Sequence, residues 1–177
     1  MTSPLTIIQL GDPRLRAQAQ PITQVHLPAI QILIDDLIAT AVATNGVGIA
    51  APQVAESKRL FILASRPNLR YPHAPTMEPT AIINPRIVSQ SDEIEKGWEG
   101  CLSVPGLRGL VPRHKQIAVE YVNRNGYRQC TLFTDFVARI FQHEYDHLEG
   151  KVFLDRVEKV DDLMTEQEYQ QRMIQAL

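Results

Sequence analysis

The chain has 177 residues, which suits one domain large enough to bury a core without metal or disulfide staples. Apolar residues make up 44% and charged residues 21%, which is ordinary for a globular protein and excludes a disordered or fibrous class. The formal net charge of -2 gives no excess of cations for a phosphate backbone, so no nucleic-acid site is predicted. We interpret residues 1–177 as a single domain.

The N-terminus shows no targeting signal, because residues 1–4 have no basic residue ahead of an apolar run and no Arg-rich amphipathic pattern. Residues 37–55 are uncharged and long enough to suggest a transmembrane helix, but Gly46, Gly48 and Pro52 interrupt them. No membrane association is predicted, and we expect a cytoplasmic protein.

The first predicted element is a helix. Apolar residues recur at helical spacing over residues 28–44, and Asn45-Gly46 is a stop signal. Prolines spread over residues 65–80 exclude regular structure there and predict a long surface loop.

The middle of the chain is predicted to form strands. Asn125-Gly126 is a strong hairpin turn between two of them. The short apolar runs that indicate strands are residues 60–63, 81–83, 117–122 and 128–133.

The last part is predicted to be helical. From Asp135 the apolar period is that of a helix, up to a stop signal at Gly150, and residues 160–177 predict a final amphipathic helix. The expected fold class is α+β, a compact domain of antiparallel or mixed strands around a central helix that carries the motif described next.

Residues 143–147, with the sequence HEYDH, carry the clearest chemical pattern of the chain. Two imidazoles four residues apart lie one turn apart on one helix face, where both can reach a single metal ion. Glu144 would flank that ion, and hydrolysis needs a carboxylate beside metal-held water to remove a proton. The alternative is a chance match in which His143 and His147 are ordinary surface or core residues.

A catalytic site of this kind needs a third protein ligand and leaves a fourth position for water. Metzincins use a histidine six residues after the second one, but Phe153 stands there. Thermolysin-like peptidases use a later glutamate, and Glu166 and Glu168 have a suitable separation. A thiolate at Cys101 would instead complete a Cys-His-His site. Spacing alone leaves both alternatives open.

Only two cysteines occur, Cys101 and Cys130, and such a pair is more typical of free thiols or metal ligation than of a disulfide in a cytosolic protein. Cys130 lies in a strand pattern, and we interpret it as a small buried hydrophobic residue. If a fourth side chain closed the metal site, the site would be structural. A non-catalytic metal or peptide-binding domain is therefore a further interpretation.

Three segments together resemble the peptide deformylase family and follow one another in the family's order. They are residues 46–53 (GVGIAAPQ), 99–103 (EGCLS) and 142–150 (QHEYDHLEG). Residues 12–16 are also similar to the family's N-terminal segment, so the resemblance covers about residues 9–156.

The resemblance implies a hydrolase that removes the N-formyl group from the formylmethionine of nascent polypeptides and releases formate. The metal ligands that it implies are Cys101, His143 and His147. Glu144 would be the general base and acid, and Gln53 with the backbone N–H of Leu102 would hold the oxyanion. The implied metal is Fe²⁺, which Zn²⁺, Ni²⁺ or Co²⁺ can replace in purified forms.

The resemblance also implies where the substrate lies, with the glycine-rich segment pairing with the peptide like an added strand. The implied substrate contacts are Gly46, Val47, Gly48, Arg108, Phe136 and Ile140. An ion pair between Asp146 and Arg113 is expected to support the ligand helix. The expected partners are N-formylmethionyl peptides and, transiently, the ribosome.

Overall fold

A computed structural model describes the backbone of residues 4–175 and the side chains of residues 4–172. The helices are α1 (Pro28–Ala43), α2 (Asp135–Leu148) and α3 (Glu166–Gln175). The strands are β1 (Gly48–Ala50), β2 (Leu60–Leu63), β3 (Thr80–Gln90), β4 (Ile94–Cys101), β5 (Val104–His114), β6 (Gln116–Val122), β7 (Arg128–Thr134) and β8 (Leu163–Thr165). The α+β class expected from the sequence is confirmed.

The strands form two antiparallel sheets. The larger sheet has the order β1-β2-β3-β6-β7, and the smaller sheet has the order β4-β5-β8. Helix α2 contacts strands of both sheets, so its residues can meet side chains from either one. This position makes α2 the central helix that the sequence predicts.

Two apolar layers fix the helices against the larger sheet. Helix α1 buries one face, including Leu33 and Leu37, against β1 and β2. Helix α2 buries Phe141, whose ring meets Phe61 of β2 edge to face with centroids 5.0 Å apart. Burial of a whole Leu or Phe side chain contributes about 1.5–3 kcal/mol to the stability of the fold. The core thereby holds α2 in a fixed orientation.

The elements predicted from periodicity are largely confirmed. Helices α1 and α2 agree with the expected ranges to within one residue. The turn between β6 and β7 contains Gly126 with φ +80°, a conformation that favours glycine and explains the strong turn signal. The segment from residue 64 to residue 79 contains no regular element, as its prolines predict.

The prediction for the C-terminal segment is partly wrong. Residues 160–162 form a short 3₁₀ turn and residues 163–165 form β8, which pairs with β5; the helix begins only at Glu166. Backbone pairing with β5 outweighs the helical pattern of the sequence here. Residues 176 and 177, the end of the predicted helix, lie outside the described residues.

The prediction that Cys130 is buried is also wrong. Both cysteines are free, and the Cys130 side chain is exposed. It lies on β7, an edge strand whose alternate residues face solvent. Across residues 4–175, the structure has no helix whose length and apolar character would let it span a bilayer.

Candidate metal centre and active site

Two histidines of α2 and one cysteine of β4 lie close together. Residues 143 and 147 are one turn apart on α2, and Cys101 ends β4, where a register shift precedes it. One ligand atom from each residue lies within 4.8 Å of the other two. The Sγ of Cys101 is 3.4 Å from Nε2 of His147. The structure therefore brings together the Cys-His-His set.

The spacing of Cys101 and His147 fits a single metal ion, and the ligand atom of His143 lies within 4.8 Å of both. Bonds of about 2.0–2.3 Å from one tetrahedral ion place its ligand atoms roughly 3.3–3.8 Å apart. The 3.4 Å separation of Cys101 Sγ and His147 Nε2 lies within this range. Nδ1 of His143 hydrogen-bonds Glu99 Oε2 at 2.9 Å, which leaves Nε2 of this imidazole for an ion.

The charges around the ligands favour a thiolate. Burial opposes ionisation, but the charge of His147 and a hydrogen bond from His143 lower the pKa of Cys101 to about 5. Burial also disfavours the charged form of His143, yet the thiolate and Glu99 outweigh it and raise the His143 pKa well above its usual value. A thiolate is the form that binds metals.

Glu144 lies beside this cluster with an unusual environment. Burial is the main cause that raises its pKa, to about 7. Among the described residues its Oε2 atom has no hydrogen-bond partner, although it is buried. Such an orphaned oxygen marks a carboxylate that would accept a hydrogen bond from an added water or substrate. The environment suits a group that exchanges protons near neutral pH.

Gly48 of β1 leaves the space for this carboxylate. A Cβ atom at position 48 would lie 2.6 Å from Oε1 of Glu144, a distance that side chains do not tolerate. Gly48, the second glycine of GVGIAAPQ, therefore allows β1 and α2 to approach each other closely.

Gln53 points its amide at the cluster from a 3₁₀ turn, Ala51–Val54. Its Oε1 accepts a hydrogen bond from Ala50 N–H at 2.9 Å, which fixes the direction of the amide. Its Nε2 donates to Ser103 Oγ at 3.2 Å and contacts Cys101 Sγ at 3.5 Å. A donor held in this way can face a developing negative charge.

A cleft opens from the cluster. Its lining includes the residues for which the resemblance implies a substrate contact, except Arg108, namely Gly46, Val47, Gly48, Phe136 and Ile140. Leu102, whose backbone N–H is an implied oxyanion donor, also lines it. Gln53, Cys101, His143 and Glu144 border the same cleft, so the ligand set and the apolar wall share one space.

Arg108 lies outside this lining. Its side chain is 0% exposed and its Nε donates to Glu166 Oε2 at 2.6 Å. Its Nη1 donates to the hydroxyl of Tyr71, at 3.1 Å, and Tyr71 does line the cleft. Arg108 therefore contacts residues of the cleft lining, such as Tyr71, without lining the cleft itself.

Glu166 and Glu168 do not join the ligand set. Glu166 pairs with Arg108, and Glu168 pairs with Arg172 on the exposed face of α3. Cys130 lies on β7 of the larger sheet, whereas Cys101 belongs to the smaller one. The thermolysin-like ligand set is therefore wrong, and these side chains do not close a fourth position.

Several supporting residues were not assigned a role from the sequence. Glu99 receives hydrogen bonds from Arg113 at 2.9 Å and Arg139 at 3.0 Å besides its bond with His143. Its position next to a ligand motif could have indicated this, because metal-bound histidines usually have a carboxylate partner. Tyr71 lies in the proline-rich loop, where no sequence signal pointed to the cleft.

The expected ion pair between Arg113 and Asp146 is confirmed, with 2.7 Å between Nη1 and Oδ2. Arg156 also donates to Asp146, at 2.6 Å. Burial raises the Asp146 pKa, but the hydrogen bond from Arg156 and the charge of Arg113 outweigh it and lower that pKa. The ligand helix is thus tied to β5 by charge.

The site combines a thiolate and two imidazoles around one point, a carboxylate beside them and a cleft in front. This combination defines the class of metal-dependent hydrolases. The sequence model described as polypeptide deformylase matches residues 4–162. The chain belongs to this family.

Individual relatives agree. Peptide deformylase 2 of Nostoc sp. is 65% identical over 94% of this chain and 93% of that protein. Peptide deformylase 2 of Shewanella oneidensis is 46% identical, over 93% and 91% of the two chains. The crystal structure of a class I type b peptide deformylase from Acinetobacter baumannii with Met-Ala-Ser bound has a TM-score of 0.87 and 44% identity. That match covers 89% of this chain and 100% of the other.

Family membership identifies the activity. The enzyme is a metal-dependent hydrolase of linear amides that removes the formyl group from N-terminal formylmethionine. The Cys-His-His cluster described above is consistent with that metal dependence.

Proposed function

We propose that this cleft releases formate from N-formylmethionyl peptides of nascent chains, with Cys101, His143 and His147 as the metal ligands. The observation that carries the proposal is the convergence of the three ligand atoms within 4.8 Å beside the unpartnered Glu144 carboxylate. Three protein ligands leave a fourth position for water, as a catalytic site requires.

The proposed metal is Fe²⁺. Thiolate and imidazole ligands suit iron and zinc alike, and the preference for iron comes from the family resemblance. A bound ion of this kind lowers the pKa of water and polarises the formyl oxygen. Zn²⁺, Ni²⁺ or Co²⁺ would occupy the same ligands in purified forms.

Glu144 is the proposed general base and acid. Its carboxylate removes a proton from the attacking water and later returns one to the amine of the departing peptide. Burial favours this exchange, because it raises the pKa of Glu144 to about 7 and so keeps both protonation states accessible near neutral pH. Gly48 supports the role by admitting the carboxylate beside β1.

Gln53 and the backbone N–H of Leu102 are the proposed oxyanion donors. When water attacks the formyl carbon, negative charge develops on the formyl oxygen, and a donor held in advance stabilises it. The amide of Gln53 is buried and oriented by Ala50, which supports this role. Removal of one such donor in comparable enzymes costs about 2.7–4 kcal/mol of transition-state stabilisation.

The proposed substrate position follows the cleft. The backbone of residues 46–48 would pair with the extended peptide, and Val47, Phe136 and Ile140 would receive the methionine side chain. Arg108 would act indirectly, by holding Tyr71 at the cleft. Met-Ala-Ser bound to the Acinetobacter baumannii relative supports a peptide ligand of this length.

The proposed setting is the cytoplasm, because formylated nascent chains are made there. A transient contact with the ribosome belongs to the same proposal, and co-sedimentation of the enzyme with ribosomes would test it. We also propose that residues 1–177 act as one catalytic domain.

The test is formate release from formyl-Met-Ala-Ser by enzyme purified without oxygen, together with analysis of the bound metal. We expect about one iron per chain and turnover in the wild type. Cys101→Ser should lose both, whereas Cys130→Ser is the matched control and should keep both. Full metal content in Cys101→Ser, or loss in Cys130→Ser, would contradict the proposed ligand set.

A second variant tests the oxyanion donor. Gln53→Ala should lower kcat by about 10²–10³ while KM changes little, because the contact strengthens only in the transition state. An effect on KM alone would show that Gln53 only binds substrate.

A further inference from the structure

An arginine of α2, Arg139, lies among the apolar residues that line the cleft. Phe136, Arg139, Ile140 and His143 share a face of α2, at helical spacings of three and four residues, and all four line the cleft. An arginine beside two apolar residues is unusual for a wall that would receive a thioether side chain. The Arg139 side chain is only 12% exposed, so it forms part of the wall instead of extending into solvent.

The charged end of Arg139 is bound to the smaller sheet. Its Nη1 donates to the carbonyl of Val111 at 2.8 Å and to Oε1 of Glu99 at 3.0 Å. Its Nη2 donates to the carbonyl of Glu95 at 2.6 Å. These hydrogen bonds fix the long side chain in one conformation and satisfy its charge inside the protein. A wall built this way resists displacement better than a free aliphatic chain would.

Gly97 of β4 provides the space that the guanidinium fills. A Cβ atom at position 97 would lie 2.7 Å from Cζ of Arg139 and 2.9 Å from its Nε. Any side chain at position 97 would therefore compete with the guanidinium for one volume. Gly97 and Arg139 form a complementary pair, in which the size of one residue determines the position of the other.

We propose that Arg139, seated against Gly97, is a specificity-determining residue that sets the depth of the pocket for the N-terminal side chain. This inference rests on the proposed function of the cleft. Held by the two strands, Arg139 stops the pocket at the length of an unbranched methionine side chain and excludes longer or broader ones. One methylene of misfit in an apolar pocket changes kcat/KM by about 10–200-fold, so a fixed wall is an effective filter.

The test compares formyl-Met-Ala-Ser with formyl-ethionine-Ala-Ser, whose side chain is one methylene longer, and with formyl-Phe-Ala-Ser. In Arg139→Ala we expect kcat/KM for the longer side chains, relative to methionine, to rise about tenfold or more. Adding Gly97→Val to Arg139→Ala refills from β4 the volume that the guanidinium occupied. The ratio of kcat/KM for the longer side chains to kcat/KM for methionine should then move back toward the wild-type value. Arg86→Ala removes an arginine that is 67% exposed on β3 and should leave the ratio unchanged.

Binding of the product peptides Met-Ala-Ser and ethionine-Ala-Ser, measured by calorimetry, gives the same comparison without turnover. If Arg139→Ala does not fold or hold metal, Arg139→Met keeps the length of the side chain but loses its hydrogen bonds, and should relax the ratio in the same direction by a smaller factor. An equal loss of activity and binding for all side chains in these variants would overturn the inference. A wild type that releases no formate from formyl-Met-Ala-Ser would instead contradict the proposed function.

Discussion

At the scale of single residues, Glu144 is a buried carboxylate with an unsatisfied oxygen. Its Oε2 atom is buried without a partner among the described residues, and burial raises its pKa to about 7. A structural carboxylate would be expected to have hydrogen-bond donors, as Glu99 does. This difference between the two buried carboxylates is expected if Glu144 exchanges protons, as proposed, and Glu99 orients His143.

Glu144→Gln should keep the metal and lose turnover. The amide has nearly the same shape but cannot accept a proton, so we expect kcat to fall by about 10²–10⁴. Formate release and metal content measured on the same preparation would check this. Retained activity with full metal content would remove Glu144 from its proposed role.

The pKa directions at the ligands predict proton release on metal uptake. Without metal, the Cys101 pKa of about 5 and the raised His143 pKa leave a thiolate beside an imidazolium near neutral pH. An imidazolium cannot bind an ion, so uptake must expel the His143 proton. We expect about one proton per ion, and affinity that increases with pH until His143 deprotonates by itself.

Calorimetry of metal binding in buffers with different ionisation enthalpies measures this proton directly. The Glu99→Gln variant provides the comparison, because loss of the Glu99 charge removes one cause that raises the His143 pKa. Its uptake should release a smaller fraction of a proton at the same pH. A release near zero in the wild type would contradict the thiolate and imidazolium pair.

At the scale of elements, the sequence predicts the helix that carries the ligands better than the sheet that completes them. Helix α2 has the predicted bounds because Phe141 and its apolar neighbours repeat at helical spacing. Strands β4 and β5 were not predicted, since Gly97, Gly100 and Pro105 interrupt the apolar alternation that marks a strand. These interruptions have structural causes that depend on distant residues.

Gly97 and Gly100 illustrate this dependence. A Cβ atom at position 97 would meet Arg139, and one at position 100 would lie 3.1 Å from Nε of Arg108. Arg139 is 42 residues from Gly97, and Arg108 lies on the paired strand β5, so no pattern within β4 could explain the glycines. The sequence alone left Cys101 and the later glutamates open as the third ligand, and only the family motifs favoured Cys101 and indicated a role for Gln53. The contacts of Tyr71 and Arg139 required the structure.

Helix α3 is tied to the smaller sheet by Glu166, and this tie should depend on pH. Partial burial raises the pKa of Glu166, but the hydrogen bond and charge of Arg108 outweigh it and hold that pKa below 4.5. A lowered carboxyl pKa means stabilisation that is present above pH 4.5 and is lost as the pH falls through the lowered value. Arg108 itself is fully buried.

Glu166→Gln should therefore destabilise the enzyme at neutral pH and matter less in acid. Loss of the charged partner of a buried guanidinium costs about 1–3 kcal/mol, at the low end because Glu166 is 28% exposed. Urea unfolding of both proteins at neutral pH, and again below the lowered pKa, would measure the difference. A difference that stays constant or increases in acid would contradict the assigned pair.

At the scale of the whole molecule, buried charged side chains connect α2 to the smaller sheet, whereas the two apolar layers hold the helices against the larger sheet. Arg113 of β5 donates to Glu99 of β4 at 2.9 Å and to Asp146 of α2 at 2.7 Å. Glu99 in turn hydrogen-bonds His143, and Arg156 donates to Asp146 as well. The network therefore runs from the surface to His143, a proposed metal ligand, and ties α2 to the smaller sheet.

Arg113→Met tests whether this network supports both stability and metal binding. The substitution leaves the two buried carboxylates, Glu99 and Asp146, with less compensation, which costs about 3–5 kcal/mol in a buried pair. Because Glu99 then orients His143 less firmly, metal affinity should fall by about 10–100-fold. Arg172→Met removes an exposed pair on α3 and should cost less than about 1 kcal/mol, without an effect on metal affinity.

Urea unfolding and competition with a chelator would measure the two quantities separately in both variants. If Arg113→Met lost stability but kept its metal affinity, Glu99 would hold His143 without help from β5. If it lost affinity alone, the network would orient the ligand without supporting the fold. Parallel losses are expected, because one guanidinium joins the carboxylate behind the ligand to the carboxylate that anchors the ligand helix.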